Sequence, residues 1–526
     1  MTDRPAHVVA DQSEVAEFLA DPASHGPGVS EVARIDTHGA MVFLAGGRVY
    51  KVKRAVRFPF MDFSTLERRR ACCEREVELN RRTAAALYLG AAAIRRRRDG
   101  RLGLDGEGEP VEWAVVMRRF DQDDLLDARC AAGTLTAEEV RAAAIAAAAL
   151  HASAERCSPD VAPRAGAEGL RWVAAENRTE LAEHAALFAP AAVAAYDAKL
   201  RTALDRHAAL IDRRHAAGLV RQCHGDLHLA NIVVLDGMSV PFDAIEFNDS
   251  LARIDVLYDV AFLLMDLDRH GRRELAWTAL DAWLAAGATD RDANLAGLAL
   301  LPLFLSLRAA IRAKVRAAAA TMTEDAAKAA AMRAEARACF AAAEAYIDPP
   351  PARLVAVGGL SGTGKTTLAR ALAPLLGPAP GAVLVRSDTV RKDLAGVDEA
   401  TRLPASLYTT LASRQVYGEM LRRARVALDA GHAVILDAVA ARPVEREADA
   451  ALAGECGVSF AGLWLEAPKD LLIERVVGRV DDASDATPVV VARQLMLETG
   501  EIAWPKIDAA GTPAEVAGRA RRALGL

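Results

Sequence analysis

Gly359-Leu360-Ser361-Gly362-Thr363-Gly364-Lys365-Thr366 fits the pattern G-x-x-x-x-G-K-[ST]. Residues of these types at this spacing suit one task, the holding of a chain of phosphates. The glycines let backbone N–H groups turn inward around phosphate oxygens. A helix beginning at Lys365 adds partial positive charge at its N-terminus. Lys365 is placed to reach the β- and γ-phosphates of ATP, and Thr366 to ligate Mg²⁺. Gly359, Ser361, Gly362, Thr363, Gly364, Lys365, Thr366 and Thr367 form the cofactor-binding set. A second octet, His224-Gly225-Asp226-Leu227-His228-Leu229-Ala230-Asn231, sets an acid and an amide at a fixed interval. Asp226 is suited to accept or orient the proton of a substrate hydroxyl, and Asn231 to bind a Mg²⁺ between phosphates.

Acids at strand ends follow the glycine-rich loop. Val383–Asp388 reads as a strand closing in Ser-Asp, and a carboxylate there points into the ligand crevice of a parallel sheet. Asp388 is thus a candidate to take a proton from an acceptor hydroxyl, with helix N-capping as its plainer role. Ala433–Asp437 is an apolar strand ending in Asp437, the form expected of the acid that orders Mg²⁺ and water. Arg475 and Arg479 stand four apart, on one helical face.

These motifs resemble two kinase groups. The back part is similar to the P-loop kinases of the zeta-toxin, polynucleotide-kinase and gluconate-kinase group. That resemblance implies that Asp388 contacts the acceptor hydroxyl, that Arg391 holds substrate or phosphate, and that Arg475 and Arg479 belong to a lid closing over the transferring phosphoryl group. The front octet has the Asp-to-Asn spacing of the protein-kinase catalytic loop, with His-Gly-Asp as in aminoglycoside phosphotransferases and choline kinases. It implies an ATP-phosphate lysine on the strand Gly47–Lys53. Lys51 and Lys53 share one strand face, and Lys51 is favoured because it follows an apolar pair. Glu76 is its expected helix partner, with Glu74 and Glu78 as rivals. In Phe242-Asp243-Ala244-Ile245-Glu246-Phe247 the acid aligned with the family's metal motif is Glu246, and Asp243 is the alternative. Asp259 matches the acid that braces the catalytic loop. The whole chain resembles a bacterial group of bifunctional aminoglycoside-phosphotransferase/ATP-binding proteins.

The elements that must position these residues are legible in outline. Gly39–Val52 alternates apolar and polar residues around a Gly46-Gly47 hairpin turn, a helix is expected over Ser64–Leu89, and Glu112–Met117 reads as a strand. Ala-rich helices cover Thr136–Ala154 and Leu307–Ala345, and Gln222–Asn248 is rich in loop residues. Asp348-Pro349-Pro350-Pro351 stops a long helix, so the expected division is a kinase-like α+β domain over 1–347, a linker at 348–351, and an α/β P-loop domain with a parallel sheet over 352–526.

Composition bounds the rest. The 526 residues are 52% hydrophobic and 26% charged, a globular balance with room for two domains. A net charge of −6 gives no general attraction to nucleic acid or anionic membrane. The seven cysteines show no paired metal-ligand spacing and read as reduced thiols of the cytosol. The N-terminal residues do not form a signal-peptide core. The apolar run Leu295–Leu307 contains Gly297 and Pro302, is too short to cross a bilayer, and reads as a buried helix pair. The function expected is ATP-dependent phosphotransfer to a hydroxyl of a small polar acceptor, a sugar, an aminoglycoside or a related metabolite, at two sites. The alternatives are a regulatory ATP-binding protein, and a nucleic-acid 5′-hydroxyl kinase, against which the acidic balance weighs. Oligomeric state is not encoded in any pattern here.

Overall fold

The apolar-polar alternation after Gly39 becomes a β-hairpin, and the rest of the first sheet grows around it. A computed structural model describes residues 7–58, 61–287, 289–478 and 483–526. They form two compact units: one runs to Gly169 and resumes over Asp212–Asp266, the other holds Leu170–Ile211 and Leu267–Leu526.

In the first unit, β1 (Val32–Asp36), β2 (Ala40–Ala45) and β3 (Arg48–Lys53) are followed by helix α1 (Leu66–Ala84), then β4 (Tyr88–Arg96), β5 (Leu102–Leu104) and β6 (Glu109–Arg118). The strands lie in the order β1-β2-β3-β6-β4-β5, antiparallel throughout. Helix α1 stops short of the expected Leu89, because Tyr88 is buried in register with Met117 as the first residue of β4. Val49, Val115 and Met117 on one sheet face pack with Cys73 and Val77 of α1. Beyond the sheet come α2 (Ala137–Ser153), which opens with a Thr136/Glu139 capping box, the hairpin of β7 (Ile232–Leu235) and β8 (Met238–Pro241), and α3 (Val256–Arg269). An antiparallel sheet with a helix on it, followed by a helical part holding the His-Gly-Asp loop, is the protein-kinase-like arrangement.

The second unit begins ahead of the proline run, unlike the expected division. Its helices include α4 (Arg273–Ala285), α5 (Leu301–Thr321) and α6 (Ala326–Tyr346). The reason is aromatic burial: Trp277 of α4 is 4% exposed in one core with Val355, Ile435 and Leu463. Its indole N–H donates to Ala382 O at 2.9 Å. The single long helix expected over Leu307–Ala345 is two, because Asp325 caps α6 by accepting from Ala327 N and Lys328 N at 2.9 and 3.0 Å. Likewise Leu295–Leu307 lies in one helical stretch, Arg291–Thr321, long and apolar enough to cross a membrane but with 78% of its most apolar window buried inside the protein.

After the prolines the chain alternates strand and helix: β9 (Arg353–Gly359), α7 (Lys365–Leu372), β10 (Val383–Arg386), α8 (Ser387–Ala395), α9 (Thr410–Asp429), β11 (Val434–Asp437), α10 (Pro443–Glu455), β12 (Ser459–Glu466), α11 (Lys469–Val477) and β13 (Lys506–Asp508). The sheet order is β10-β11-β9-β12-β13, all parallel. The chain passes from the central β9 to β10 and β11 on one side and then to β12 and β13 on the other, and the crevice at the strands' C-terminal ends is where ligands bind in such sheets.

Candidate functional site

The site of the first unit is built on β3. Its pleat puts Lys51 and Lys53 on one face, and α1 brings Glu76, which is fully buried, between them. Lys51 Nζ lies 3.0 Å from Glu76 Oε1 and 2.5 Å from Asp243 Oδ1. Lys53 Nζ pairs with Glu76 Oε2 and Glu246 Oε1. The rivals of Glu76 are elsewhere: Glu74 pairs with Arg70 at 2.9 Å and Glu78 with Arg75 at 3.1 Å, both on the helix surface.

The two acids after the loop have different surroundings. Glu246, the aligned residue, has a side chain only 4% exposed, engaged by Lys53 and lying 3.6 Å from Cys72 Sγ. Asp243 is 39% exposed and sits at φ 61°, a left-handed conformation rare for a residue other than glycine. The backbone there is pinned: Asp243 N–H donates to Tyr88 OH at 3.1 Å, and Ala244 N–H to Asn80 Oδ1 at 2.8 Å. Burial pushes the Asp243 carboxyl up, but the charge and hydrogen bond of Lys51, with Lys53, hold it below its ordinary value, against the opposing charge of Asp226. Burial, assisted by Glu76, leaves Glu246 above its ordinary value despite Lys53. Both acids therefore meet β3, the shorter at Lys51 and within the field of Asp226, the longer at the buried Lys53.

The catalytic-type loop is held by its own residues and by two buried acids. Asn231 Nδ2 donates to Asp226 O at 2.9 Å and to Asp226 Oδ2 at 3.0 Å, and His228 Nε2 is 3.3 Å from the same Oδ2. Asp259 accepts from Gly225 N–H at 2.8 Å and from His224 N–H at 3.0 Å, and its Oδ2 is 3.0 Å from His151 Nε2. Asp266 accepts from Leu229 N–H at 2.9 Å. Gly225 has φ 86°, and a Cβ there would stand 2.9 Å from Leu251 O. His151 and Asp266 were invisible to sequence reasoning, since a histidine within an alanine-rich helix and an acid within an apolar one carry no spacing signal.

In the second unit the glycine-rich loop joins β9 to α7. Gly362 has φ 90°, and a Cβ on it would lie 2.5 Å from Leu472 O; Gly364, at φ 87°, starts the helix. Lys365 Nζ donates to Leu360 O at 3.1 Å, so the lysine folds over its own loop. Thr366 Oγ1 donates to Asp437 Oδ2 at 2.5 Å, and Arg386 Nε is 3.6 Å from that oxygen. A cleft of about 1120 Å³ is lined by the loop through Thr367 and by Asp388, Arg391, Asp437 and Arg475. Asp388 does not cap α8, whose N-cap is Arg386. Burial and then the charge of Asp437 push the Asp388 carboxyl above its ordinary value, opposed by Lys365 and Arg386. Arg391 donates to Leu407 O at 2.6 Å and lies over the Tyr408 ring at 4.7 Å. Arg475 donates to Ala509 O at 3.0 Å, so it braces the loop after β13. Arg479 lies outside the described residues. Gln494, absent from the expected set, accepts from Ser361 N–H at 2.8 Å and ties a late helix to the phosphate-type loop.

Both sites fit Mg²⁺ by donor chemistry. Thr366 and Asp437 supply oxygen atoms in contact with one another, and Asn231 and Asp243 supply an amide and a carboxylate near the Asp226 charge, the hard donors that Mg²⁺ takes.

The family model described as AAA domain matches residues 354–498. The uncharacterized protein Rv2004c of Mycobacterium tuberculosis is 33% identical over 496 residues, covering 92% of this chain and 94% of its own. The Mycobacterium bovis protein Mb2027c matches to the same extent. Among solved structures, a gluconokinase from Sinorhizobium meliloti covers 33% of this chain and 92% of its own at 23% identity and TM-score 0.25. A Plasmodium vivax ethanolamine kinase covers 60% of this chain and 83% of its own at 11% identity and TM-score 0.38.

Proposed function

The chain belongs to the family of the mycobacterial proteins Rv2004c and Mb2027c, and on that footing we propose that it is a phosphotransferase with two sites, each moving the γ-phosphoryl group of ATP to a hydroxyl of a small polar acceptor. The observation that carries this reading is the Thr366–Asp437 contact at 2.5 Å, in a cleft that Lys365 and Asp388 also line. Residues suited to cradle phosphate, to hold a metal and to accept a proton line one cleft, and that supports transfer over nucleotide binding alone.

ATP supplies the phosphoryl group, and Mg²⁺ offsets the charge on its oxygens. In the second unit, Lys365 and the loop amides bind the triphosphate, Thr366 and Asp437 hold the metal, and Asp388 takes the proton of the acceptor hydroxyl. Arg391 and Arg475 wall the cleft on the acceptor and loop sides. In the first unit, Lys51, oriented by Glu76, binds phosphate, Asn231 and Asp243 hold the metal, and Asp226 takes the proton. Lys53 and Glu246 form the buried charge pair beneath them.

A net charge of −6 supports small molecules, and not nucleic acid or membrane, as partners. Seven free cysteines, six of them buried, support a reducing compartment, the cytosol.

The test is acceptor-dependent ADP release across a panel of sugars, aminoglycosides and amino alcohols, with Asp226→Asn and Asp388→Asn assayed separately. Each variant is expected to lose at least about 100-fold in turnover for its own acceptors and to spare the other set. If both turn over at the wild-type rate with every active acceptor, the assignment is wrong.

A further inference from the structure

Helix α5 carries Arg308, Arg312 and Arg316 at four-residue steps, which places three guanidinium groups along one face. Like charges at that spacing destabilise a helix, so the ladder is a cost to folding in isolation. Many of the neighbouring residues along α5 and α6 are alanine.

Across from the ladder stands one acid. Glu335 of α6 has Oε1 3.0 Å from Arg269 Nη1 and 3.7 Å from Arg312 Nε, and Oε2 3.0 Å from Arg316 Nε. Arg269 and Arg308 have further interactions, so the charge count rests on the other two. Among the described residues, Glu335 is the one carboxylate within 4.0 Å of Arg312 and Arg316. Arg312 Nε, Arg316 Nε and Glu335 Oε1 are also shielded from solvent without a hydrogen bond of good geometry. A shielded charge without full pairing is expensive, and such a surplus is relieved by an anion. The side chains of Arg312 and Arg316 are 11% and 30% exposed, so an anion can reach them from water without parting the helices.

We infer that Arg312 and Arg316, together with Arg269 and Glu335, form an oxyanion subsite that takes a phosphoryl group, as the free ion or as the ester of a small molecule. The two guanidinium forks of Arg312 and Arg316 already present more donors than the two oxygens of one carboxylate can accept, whereas a phosphoryl group offers at least three acceptor oxygens. Glu335 holds the arginines in place and competes with the anion for them.

Calorimetric titration of the full chain tests this, with Mg²⁺ and a non-hydrolysable ATP analogue present at saturation so that the nucleotide sites do not contribute. Inorganic phosphate and glucose 6-phosphate are the two probes. Wild type is expected to bind at least one, and preference between them tells the free ion from the ester. The double variant Arg312→Gln/Arg316→Gln should bind at least tenfold more weakly, and Glu335→Gln several-fold more tightly. If the double variant does not fold by circular dichroism, Glu335→Gln decides alone. Absence of binding of either probe to wild type, or a Glu335→Gln affinity no tighter than wild type, overturns the inference.

Discussion

Lys51 Nζ and Asp243 Oδ1 stand 2.5 Å apart across 192 residues of sequence. The contact joins β3 to the segment after the catalytic-type loop, and both side chains keep some access to solvent. Lys53, two residues on, is different. Its side chain and that of Glu246 are each 4% exposed, and it shares the fully buried Glu76. Removing Lys53 leaves the buried Glu246 without its lysine partner and Glu76 with Lys51 alone, which costs about 3–5 kcal/mol. Lys53→Met is therefore expected to unfold at clearly lower urea concentration than wild type. Lys51→Met should unfold near wild type but lose most Asp226-dependent ADP release. Equal urea midpoints for the two variants would remove this division of labour.

Asp259 is fully buried, and its two oxygens receive the amides of Gly225 and His224. Asp259→Ala strands two buried N–H groups and takes away the partner of His151. Each unmet buried donor costs about 1–3 kcal/mol, so a loss of roughly 2–5 kcal/mol is expected by chemical denaturation. As a positioning residue it should depress the first-site kcat more than KM, while second-site turnover stays unchanged. A KM effect alone would assign Asp259 to binding.

Much of this was legible beforehand. The glycine-rich loop and the His-Gly-Asp octet are local patterns whose chemistry depends on neighbours in sequence, and both sit where such patterns require, after β9 and between short strands. What stayed closed depends on distant residues. Periodicity could not rank Lys51 against Lys53, because both face Glu76; the choice comes from which acid each meets, Asp243 or Glu246. The family resemblance favoured Glu246, whose side chain is taken up by Lys53 in the structure, and that contact is the ground on which we propose Asp243 as the metal acid. The prolines promised a boundary, yet burial of Trp277 against the parallel-sheet core draws the preceding helices into the second unit. His151 and Gln494 act through contacts made 108 and 133 residues away.

At Gly362 in the glycine-rich loop, space as well as φ excludes a side chain. A Cβ would lie 2.5 Å from Leu472 O, on the backbone of α11. Backbone cannot swing aside as a side-chain tip can, so Gly362→Ala must either displace α11 or reshape the loop. Second-site nucleotide affinity should fall at least tenfold, with a stability loss of about 1–3 kcal/mol. Gly418→Ala, in the middle of α9 with nothing within 4 Å of the added carbon, is the control. It should stabilise by up to about 1 kcal/mol. A Gly362→Ala protein that binds nucleotide as wild type does would show that the loop has slack.

Asp388 links the second site to pH. Burial, then the neighbouring Asp437 charge, raise its carboxyl above the ordinary value, with Lys365 and Arg386 only partly offsetting them. As proton acceptor Asp388 must be ionised, so second-site turnover should fall on acidification, with an inflection above that of a free aspartate. The effect on stability has the opposite sense. The folded chain holds this proton to higher pH than the unfolded chain does, so the group favours folding in acid. That advantage is lost as pH rises from the unfolded value through the folded one, and at neutral pH the ionised group is a standing cost. Asp388→Asn should therefore abolish second-site turnover and yet raise stability at pH 7 by roughly 0.5–2 kcal/mol, a gain typical when a functional site is neutralised. The difference should shrink as pH falls toward that of a free aspartate. Thermal melts of both proteins without nucleotide, from pH 4.5 to 8, measure it. A variant less stable than wild type at pH 7, or a gap that widens in acid, would mean that Asp388 is held as a structural anion and not strained as a base.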